Sequence, residues 1–535
     1  MGLGQQTEGN SGKLGVQARG TRAYFLKFTS DKFELRKQEL ISEGKEKYLG
    51  MKEFYNMKNV FYLPEEARWN FIIENAKQED IALKIDTALH TIEKNNDSLK
   101  GALPDNYFSR LNFDPSKLSA LLDTVNNIDT LGDEENDVVG RIYEYFLGKF
   151  ASAEGKGGGE FYTPKSVVNL IAEMLEPYKG KIYDPACGSG GMFVQSVKFV
   201  ESHQGNKRNI SIYGQELNAT TYKLAKMNLA IRGISANLGE VPANTFFKDQ
   251  HPDLKADYIM ANPPFNQSQW REANELEDDA RWASFNTPPT GNANYAWILH
   301  MLSKLSETGT AGFVLANGSM STNTSGEGEI RKTLIDRDYV DCMIALPGQL
   351  FYTTQIPVCL WFMTKNKRED TEHGYRDRQG ETLFIDARNM GTMVDRTHKE
   401  LTAEDMAEIA GTYHAWRNDK TKAPSPRTDR ACPVSTPRES RESTKEPTLK
   451  KEHPAPTSEY TDIAGYCKSA TLQEIQKNDY VLTPGRYVGV AEEEDDGIPF
   501  EDKMTDLSKR FFGQIEQGKT LDESICANLK LLGYE

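Results

Sequence analysis

The stretch ADYIMANPPFNQSQW, residues 256–270, joins a short apolar run to an asparagine, two prolines and a phenylalanine. The apolar run indicates a buried strand, and it ends in Asn262, Pro263, Pro264 and Phe265. Each proline removes a backbone donor and fixes a φ angle, and the first also keeps Asn262 out of the helical region. The stretch therefore predicts a stiff strand end that presents an amide beside an aromatic ring.

A second motif, YDPACGSGG at residues 183–191, places Asp184 after a strand-like run and before a glycine turn. Glycines in such a turn let the backbone approach a ligand closely. The Asp184 carboxylate is placed to accept a hydrogen bond from a cationic amino group. In the next unit, YGQELN, Glu216 stands where dinucleotide-type folds hold ribose hydroxyls with a carboxylate. Alone, the glycine turn could be purely structural, and Glu216 could be a solvated loop acid. Together, the glycine turn and Glu216 favour a nucleoside-containing cofactor.

Both motifs fall in a region of alternating strands and helices that begins near Lys181. This alternation predicts an α/β domain with a largely parallel sheet. Ligands of such sheets bind at the carboxyl ends of the strands, near the switch in strand order. Both motifs are expected at such ends.

Composition and periodicity divide the 535 residues into five segments. Apolar residues at three- and four-residue spacing predict helices before the α/β region. A span rich in Pro, Ser, Thr and charge cannot bury a core. The predicted segments are a flexible lead (1–22), a helical N-terminal domain (23–150), an α/β domain (151–417), a disordered linker or insertion (418–460) and a helical C-terminal region (461–535).

Bulk composition fits a globular protein, with 38% hydrophobic and 27% charged residues. We find neither an apolar run of transmembrane length nor a signal-peptide core, so a cytoplasmic location is expected. The six cysteines form no CxxC pair, which argues against a zinc site and a disulfide framework. The net charge of −15 argues against a protein that binds DNA without a partner, because such proteins usually have a basic surplus or a basic patch. Either DNA is not the substrate, or another subunit supplies much of the phosphate contact.

The motif order FYTP, DPACGSGG, NPPF resembles the modification subunit of type I restriction–modification systems, a DNA adenine-N6 methyltransferase of the NPPF class. The resemblance covers most of the chain and implies a Rossmann-like S-adenosylmethionine-dependent methyltransferase domain, with a helical N-terminal domain and a helical C-terminal tail. Residues 151–417 would be the catalytic domain, and residues 461–535 would dock another subunit. It also implies S-adenosyl-L-methionine as the methyl donor, no metal, and double-stranded DNA as the substrate. The implied partners are a specificity subunit and a second copy of the chain, in a complex of two modification subunits with one specificity subunit. A restriction subunit is left open, and no membrane is implied.

The resemblance also implies roles for individual residues. Asn262 and Pro263 would accept the two amino hydrogens of adenine, Pro264 would stiffen the motif, and Phe265 would stack on the extruded base. The implied cofactor-binding residues are Phe161, Tyr162, Thr163, Asp184, Ala186, Gly188, Ser189, Gly190, Glu216 and Asn244.

Two positions depart from the family pattern or stay ambiguous. Similar enzymes often carry an aspartate after the third strand, but this chain has Asn244 there and Asp249 five residues on, which leaves the contact to the cofactor adenine open. Phe351 or Tyr352 would line the base pocket, with ordinary core packing as the equal alternative.

Other functions and one misleading motif also need weighing. An amino-methyltransferase of the same chemistry acting on RNA or a protein glutamine is the alternative enzyme, and a cofactor-binding assembly protein is the non-enzymatic one. GQIEQGKT, residues 513–520, matches the phosphate-loop pattern GxxxxGK[ST] but follows no buried strand. Its helical spacing predicts a helical hairpin instead, in which Gly518 ends one helix and Thr520 caps the next.

Overall fold

The structure, a computed structural model, describes residues 5–103, 106–111, 114–131, 163–203, 205–351, 356–371, 373–418, 460–490, 504–505, 507–516 and 518–520. Its internal contacts divide the chain into two units, Met1–Gly489 and Val490–Glu535.

The N-terminal part of the first unit is helical, as the apolar spacing predicts. Its helices are α1 (Gln5–Ser42), α2 (Glu53–Asn56), α3 (Trp69–Glu74), α4 (Ile81–Asn95) and α5 (Pro115–Asn126). The predicted cap of α5 is present, because the Asp114 carboxylate accepts the backbone N–H of Ser116 at 2.9 Å. One face of α4 is buried in a core that also holds the stacked rings of Phe33 and Tyr55.

The prediction of a flexible lead over residues 1–22 is wrong from Gln5 onward, because α1 begins there. The packed part of α1 includes Tyr24, Phe25 and Leu26, which are fully buried. Extending a helix that is already nucleated fixes one residue for each hydrogen bond gained, so the neighbouring segment continues it without a second nucleation cost.

A mixed sheet forms the centre of the first unit. Its nine strands are β1 (Gly180–Asp184), β2 (Ile210–Gly214), β3 (Ala236–Asn237), β4 (Ala256–Ala261), β5 (Leu305–Ala316), β6 (Val340–Ala345), β7 (Val358–Thr364), β8 (Glu381–Asp386) and β11 (Cys467–Thr471). Strands β9 (Thr392–Met393) and β10 (Lys399–Glu400) form a separate two-stranded sheet. The strand order is β11-β8-β6-β7-β5-β4-β1-β2-β3. Pairing directions make β7 and β11 antiparallel to all the other strands of this sheet.

Helices cover both faces of the sheet. They are α6 (Lys165–Leu175), α7 (Gly191–Ser202), α8 (Ala219–Ile231), α9 (Asn294–Lys304), α10 (Glu327–Asp336), α11 (Ala403–Arg417) and α12 (Leu472–Lys477). Side chains alternate across a strand, so Ile182 joins the core under α6, α7, α8 and α11, and Tyr183 joins the core under α9 and α10.

The switch in strand order lies between β1 and β4. From β1 the chain moves outward through β2 to β3, then returns to place β4 on the other side of β1. The predicted α/β fold with a largely parallel sheet is confirmed, and both sequence motifs follow the two strands that flank the switch, where such folds bind ligands.

The boundary predicted at residue 461 is wrong. β11 pairs along its whole length with β8, from Cys467 opposite Ile385 to Thr471 opposite Glu381. The segment CKSAT has too little apolar character to show this role, because it is an edge strand whose stability comes from the pairing rather than from its own pattern. The sheet of the first unit therefore extends past residue 470, and the C-terminal unit begins at Val490.

In the second unit, the described residues after Val490 are helical. The predicted break at Gly518 is wrong, because residues 518–520 are still helical and the Thr520 hydroxyl donates to the carbonyl of Glu516, one turn back, at 3.0 Å. Such a helix offers no phosphate loop. None of the described helices combines the length and the apolar character that crossing a membrane requires.

Candidate active site

A cavity of about 770 Å³ opens at the carboxyl ends of β1, β2 and β4. Its size falls within the range of small-molecule and cofactor sites. The residues of the sequence prediction that line it are Thr163, Asp184, Ala186, Gly188, Ser189, Glu216, Asn244, Asn262, Pro264 and Phe265. The two motifs, about eighty residues apart in the chain, thus share one cavity.

Some predicted residues lie elsewhere. Gly190 and Pro263 are the immediate neighbours of lining residues but do not line the cavity themselves. Phe161, Tyr162 and Tyr352 lie outside the described residues.

The turn after β1 is shaped by backbone hydrogen bonds. The buried Asp184 carboxylate accepts the Ala186 N–H at 3.0 Å, and the Gly188 N–H donates to Glu216 at 3.1 Å. Gly188 has φ +53° and Gly190, the residue before α7, has φ +81°, values at which a side chain is strained. The turn therefore binds directly to the end of β2.

Glu216 organises the end of β2. One carboxylate oxygen accepts from Gly188, and the other accepts the Asn218 N–H at 2.7 Å. Burial raises the pKa of Glu216, against the lowering effect of these backbone hydrogen bonds. The carboxylate is thus held at a fixed place in the cavity wall.

Asp184 is a second buried acid of the site. Burial raises its pKa from 3.8 to about 8, the nearby Glu216 charge adds to that rise, and the Ala186 N–H opposes it. Among the described residues, neither carboxylate forms an ion pair with a cationic side chain. A ligand that brings a positive charge would favour the ionised form of Asp184.

The loop after β3 brings Asn244 into the cavity. The Asn244 side-chain oxygen accepts the Phe246 N–H at 2.9 Å, and the Thr245 hydroxyl donates to the carbonyl of Pro185 at 2.6 Å. Asp249 does not line the cavity; it forms an ion pair with Lys304.

Two buried amides that sequence reasoning missed hold these loops together. Gln215 is fully buried; its amide donates to the carbonyls of Ala243 (3.2 Å) and Lys248 (2.8 Å), and its oxygen accepts from the Gln250 N–H. Asn228, on α8, donates to the carbonyl of Ser189 at 2.8 Å. Gln215 directly precedes Glu216 in the sequence, but nothing in the local pattern reveals the long-range partners.

Arg281, also missed, connects the loop after β3 to the long segment that follows Phe265. Its guanidinium donates to the carbonyl of Phe246 at 2.6 Å and to that of Thr245 at 3.3 Å. Asp279 accepts from the same guanidinium at 2.6 and 2.8 Å. Sequence alone shows Asp279 and Arg281 only as an ordinary pair of loop charges.

The Asn262-Pro263-Pro264-Phe265 segment leaves the end of β4 toward the cavity. Asn262 and Phe265 are each 9% exposed and line it. Phe351 does not line the cavity; its ring meets that of Phe265 edge-on, with 5.8 Å between the ring centres. Phe351 thus fits the packing alternative, with its ring against the aromatic ring of the motif.

Two families match the sequence over adjoining stretches. Residues 134–496 match the family N-6 DNA Methylase, and residues 24–125 match the HsdM N-terminal domain. The first match covers well over half of the chain. The chain belongs to the N-6 DNA methylase family.

Relatives of this methylase agree with the match. It is 46% identical over 492 residues to the type I restriction enzyme HindI methylase subunit of Haemophilus influenzae, which covers 88% of this chain and 100% of the relative. It is 38% identical over 509 residues to the MjaIX methylase subunit of Methanocaldococcus jannaschii, with 94% and 81% covered. The crystal structure of a type I restriction-modification system methyltransferase subunit from Streptococcus thermophilus shares the fold, with a TM-score of 0.66 and 22% identity over 90% of this chain and 99% of that one.

These matches confirm the predicted family and the predicted activity, that of an adenine-N6 DNA methyltransferase. They give no support to the alternative substrates, RNA or a protein glutamine.

Proposed function

We propose that this N-6 DNA methylase transfers the methyl group of S-adenosyl-L-methionine to adenine N6 in double-stranded DNA, as the modification subunit of a type I complex. The observation that carries the assignment of the site is the single cavity that joins Asp184 and Glu216 to Asn262 and Phe265. A methyltransferase needs donor and acceptor within reach of each other, and this cavity is lined by groups suited to both.

The donor side of the cavity fits S-adenosyl-L-methionine by the chemistry of its lining. Asp184, buried without an ion-pair partner among the described residues, suits the amino group of the methionine moiety. Glu216 has carboxylate lone pairs for ribose hydroxyls, and the Asn244 oxygen is engaged by its own turn, so its amide nitrogen is the group to meet a ring nitrogen of the cofactor adenine. Thr163, Ala186, Gly188 and Ser189 supply the remaining wall, with Gly190 shaping the turn. Contacts from Phe161 and Tyr162 stay predictions.

The acceptor side activates an amino group. Adenine N6 is a weak nucleophile because its lone pair is delocalised into the ring. The Asn262 side-chain oxygen and the Pro263 carbonyl would each accept one amino hydrogen, and Pro263 and Pro264 would keep both acceptors in place before the reaction, which is electrostatic preorganisation. Phe265 would stack on the extruded base and offset part of the cost of leaving the duplex. Bound S-adenosyl-L-methionine supplies the electrophilic methyl group.

The test is transfer of labelled methyl to unmethylated DNA by the chain together with its specificity subunit. Asn262→Ala should lower the rate by roughly 10²- to 10³-fold, as loss of a preorganised acceptor does, while the cofactor affinity stays unchanged. Asn317→Ala is the matched control, because Asn317 follows β5 as Asn262 follows β4 but does not line the cavity. Wild-type turnover by Asn262→Ala would reject the proposed role.

The second unit is the proposed docking element for the specificity subunit. Met504, Leu507, Phe511 and Ile515 repeat at helical spacing, and their side chains are between 39% and 59% exposed. A helix with an unburied apolar stripe suits a partner helix, and the specificity subunit would also supply the DNA contacts that a chain of charge −15 lacks. A second copy of the chain, a restriction subunit and a cytoplasmic location stay predictions.

Docking can be measured by size-exclusion chromatography of the chain mixed with its specificity subunit. Deleting residues 513–535 should abolish the complex, because the deletion removes the end of the apolar stripe. Leu507→Glu should also abolish it, because a charge replaces part of the stripe. Lys509→Glu, an exposed control on the same helix, should not. An intact complex with the deletion would exclude this docking mode.

A further inference from the structure

The residue that follows Phe265 has an unusual backbone conformation. Asn266 lines the cavity beside Phe265 and has φ +50°. Residues with a side chain rarely adopt this left-handed conformation, although asparagine tolerates it better than most. Contacts with other residues are therefore expected to stabilise the left-handed conformation of Asn266.

Asn294 holds Asn266 through both ends of its amide. The Asn294 oxygen accepts the Asn266 N–H at 3.0 Å, and the Asn294 nitrogen donates to the Asn266 side-chain oxygen at 2.9 Å. Two further bonds join the same stretches: Asn292 donates to the Asn266 oxygen at 3.3 Å, and the Ala293 N–H donates to the carbonyl of Gln267 at 2.9 Å. Asn294 is 1% exposed, so these bonds are shielded from water.

The helix behind Asn294 is a rigid support. Asn294 is the first residue of α9, and Tyr295, Ile298 and Leu299 in the same helix are fully buried. The Tyr295 hydroxyl also donates to the carbonyl of Ser319, beyond β5, at 2.7 Å. A side chain fixed on a packed helix holds its partner more precisely than one on a loop.

We propose that Asn294 is a positioning residue for methyl transfer. The two prolines constrain the chain before Phe265, and the Asn294–Asn266 contact constrains it directly after, so the ring of Phe265 is fixed from both sides. The contact acts on the half of the cavity that would hold the target base, because the described polar contacts of Asn294 do not involve Asp184, Glu216 or Asn244. This role rests on the proposed function.

Loss of the contact should slow the chemical step and leave the cofactor bound. Asn294→Ala removes both side-chain bonds to Asn266, and a displacement of the base by even about 1 Å can cost on the order of 100-fold in rate. We expect kcat with DNA to fall by about 10- to 100-fold, with the dissociation constant of S-adenosyl-L-methionine unchanged. A target adenine replaced by 2-aminopurine should also show altered fluorescence in the complex, because the stacking ring has moved.

Asn96 offers a matched control that does not line the cavity. It is 2% exposed, its oxygen accepts the Tyr62 N–H at 2.9 Å, and its nitrogen donates to the carbonyls of Tyr62 at 3.0 Å and Ile92 at 2.8 Å. Asn96→Ala therefore removes the same kinds of bonds in the N-terminal core. It should lower the melting temperature about as much as Asn294→Ala does and leave kcat unchanged.

A double variant tests whether Asn294 acts through Asn266. Asn266→Gly keeps the left-handed conformation and removes the side-chain oxygen. It therefore tests the Asn294–Asn266 contact by itself if Asn294→Ala does not fold. Because the two single variants break a shared bond, the loss in the double variant should be smaller than the product of the single losses.

Three results would overturn the proposal: wild-type kcat in Asn294→Ala, an equal loss of kcat in Asn96→Ala, or fully multiplicative losses in the double variant. Wild-type protein that fails to methylate DNA in the same assay would instead reject the proposed function.

Discussion

Replacing Asp184 with asparagine should make the ligand-free protein more stable and destroy its cofactor site. The Asp184 carboxyl is fully buried, and its pKa of about 8 means that the folded protein keeps a proton that the unfolded chain, with an ordinary pKa of 3.8, releases. For such a group the folded state loses stability as the pH rises from about 4 to about 8. Below that window both states are protonated and the effect vanishes.

The size of the effect follows from the two pKa values. Between 3.8 and pH 7, at about 1.36 kcal/mol for each pH unit, the wild-type protein should lose up to about 4 kcal/mol. Asparagine resembles the neutral acid and can still accept the Ala186 N–H, so Asp184→Asn should be more stable by that amount at pH 7 and equal to wild type near pH 4.

The measurement is the free energy of urea unfolding at both pH values without cofactor, followed by thermal melting with S-adenosyl-L-methionine added. The wild-type protein should gain stability from the cofactor and the variant should not. Asp341→Asn is the contrasting control. Burial alone would raise the pKa of Asp341, but the Arg378 and Lys367 charges and the Tyr413 hydroxyl lower it below the ordinary value, so that substitution should destabilise the protein. If Asp184→Asn were less stable than wild type at pH 7, the reasoning about an unpaired buried carboxylate would be refuted.

Three further substitutions probe the frame of the cavity. Glu216→Gln should weaken S-adenosyl-L-methionine binding by about 10- to 100-fold, the cost of losing a charged hydrogen-bond acceptor; isothermal titration calorimetry with an unchanged affinity would count against the ribose role. Arg281→Lys cannot reproduce the planar fork that joins Asp279 to the loop after β3, so it should raise the cofactor dissociation constant, and an unaffected constant would contradict the bracing role. Gly214→Ala would place a methyl group 2.9 Å from the Phe193 ring and should cost about 1–3 kcal/mol of unfolding free energy. Gly291→Ala is the control and should be neutral, because no heavy atom lies within 4 Å of the added carbon. Equal stabilities of the two variants would refute the packing argument.

Local sequence patterns predicted the parts of the fold that depend on local physics. The apolar strands β1, β4, β5, β6 and β7 are recognisable because most of their residues are buried. Strand β11 escaped prediction because an edge strand takes its stability from its neighbour. The extension of α1 escaped because helix propagation depends on packing elsewhere in the same helix.

The candidate site divides in the same way. Asp184, Glu216 and Asn262 stand at strand ends within compact motifs, so residue type and position suffice to point to them. Gln215 and Asn294 act through partners tens of residues away, and a buried amide looks in sequence like any surface amide. Only the folded chain shows which amides bridge two loops.

The late position of β11 in the chain bears on how the protein can be cut or expressed. Residues 467–471 are made after all the other strands of the sheet, and they cover its outer edge beside β8. A fragment that stops at the end of the α/β pattern near residue 417 would leave the backbone N–H and C=O groups of β8 without their neighbour, and exposed edges of this kind promote strand pairing between molecules. Expression boundaries for the catalytic part therefore belong after Gly489, where the first unit ends.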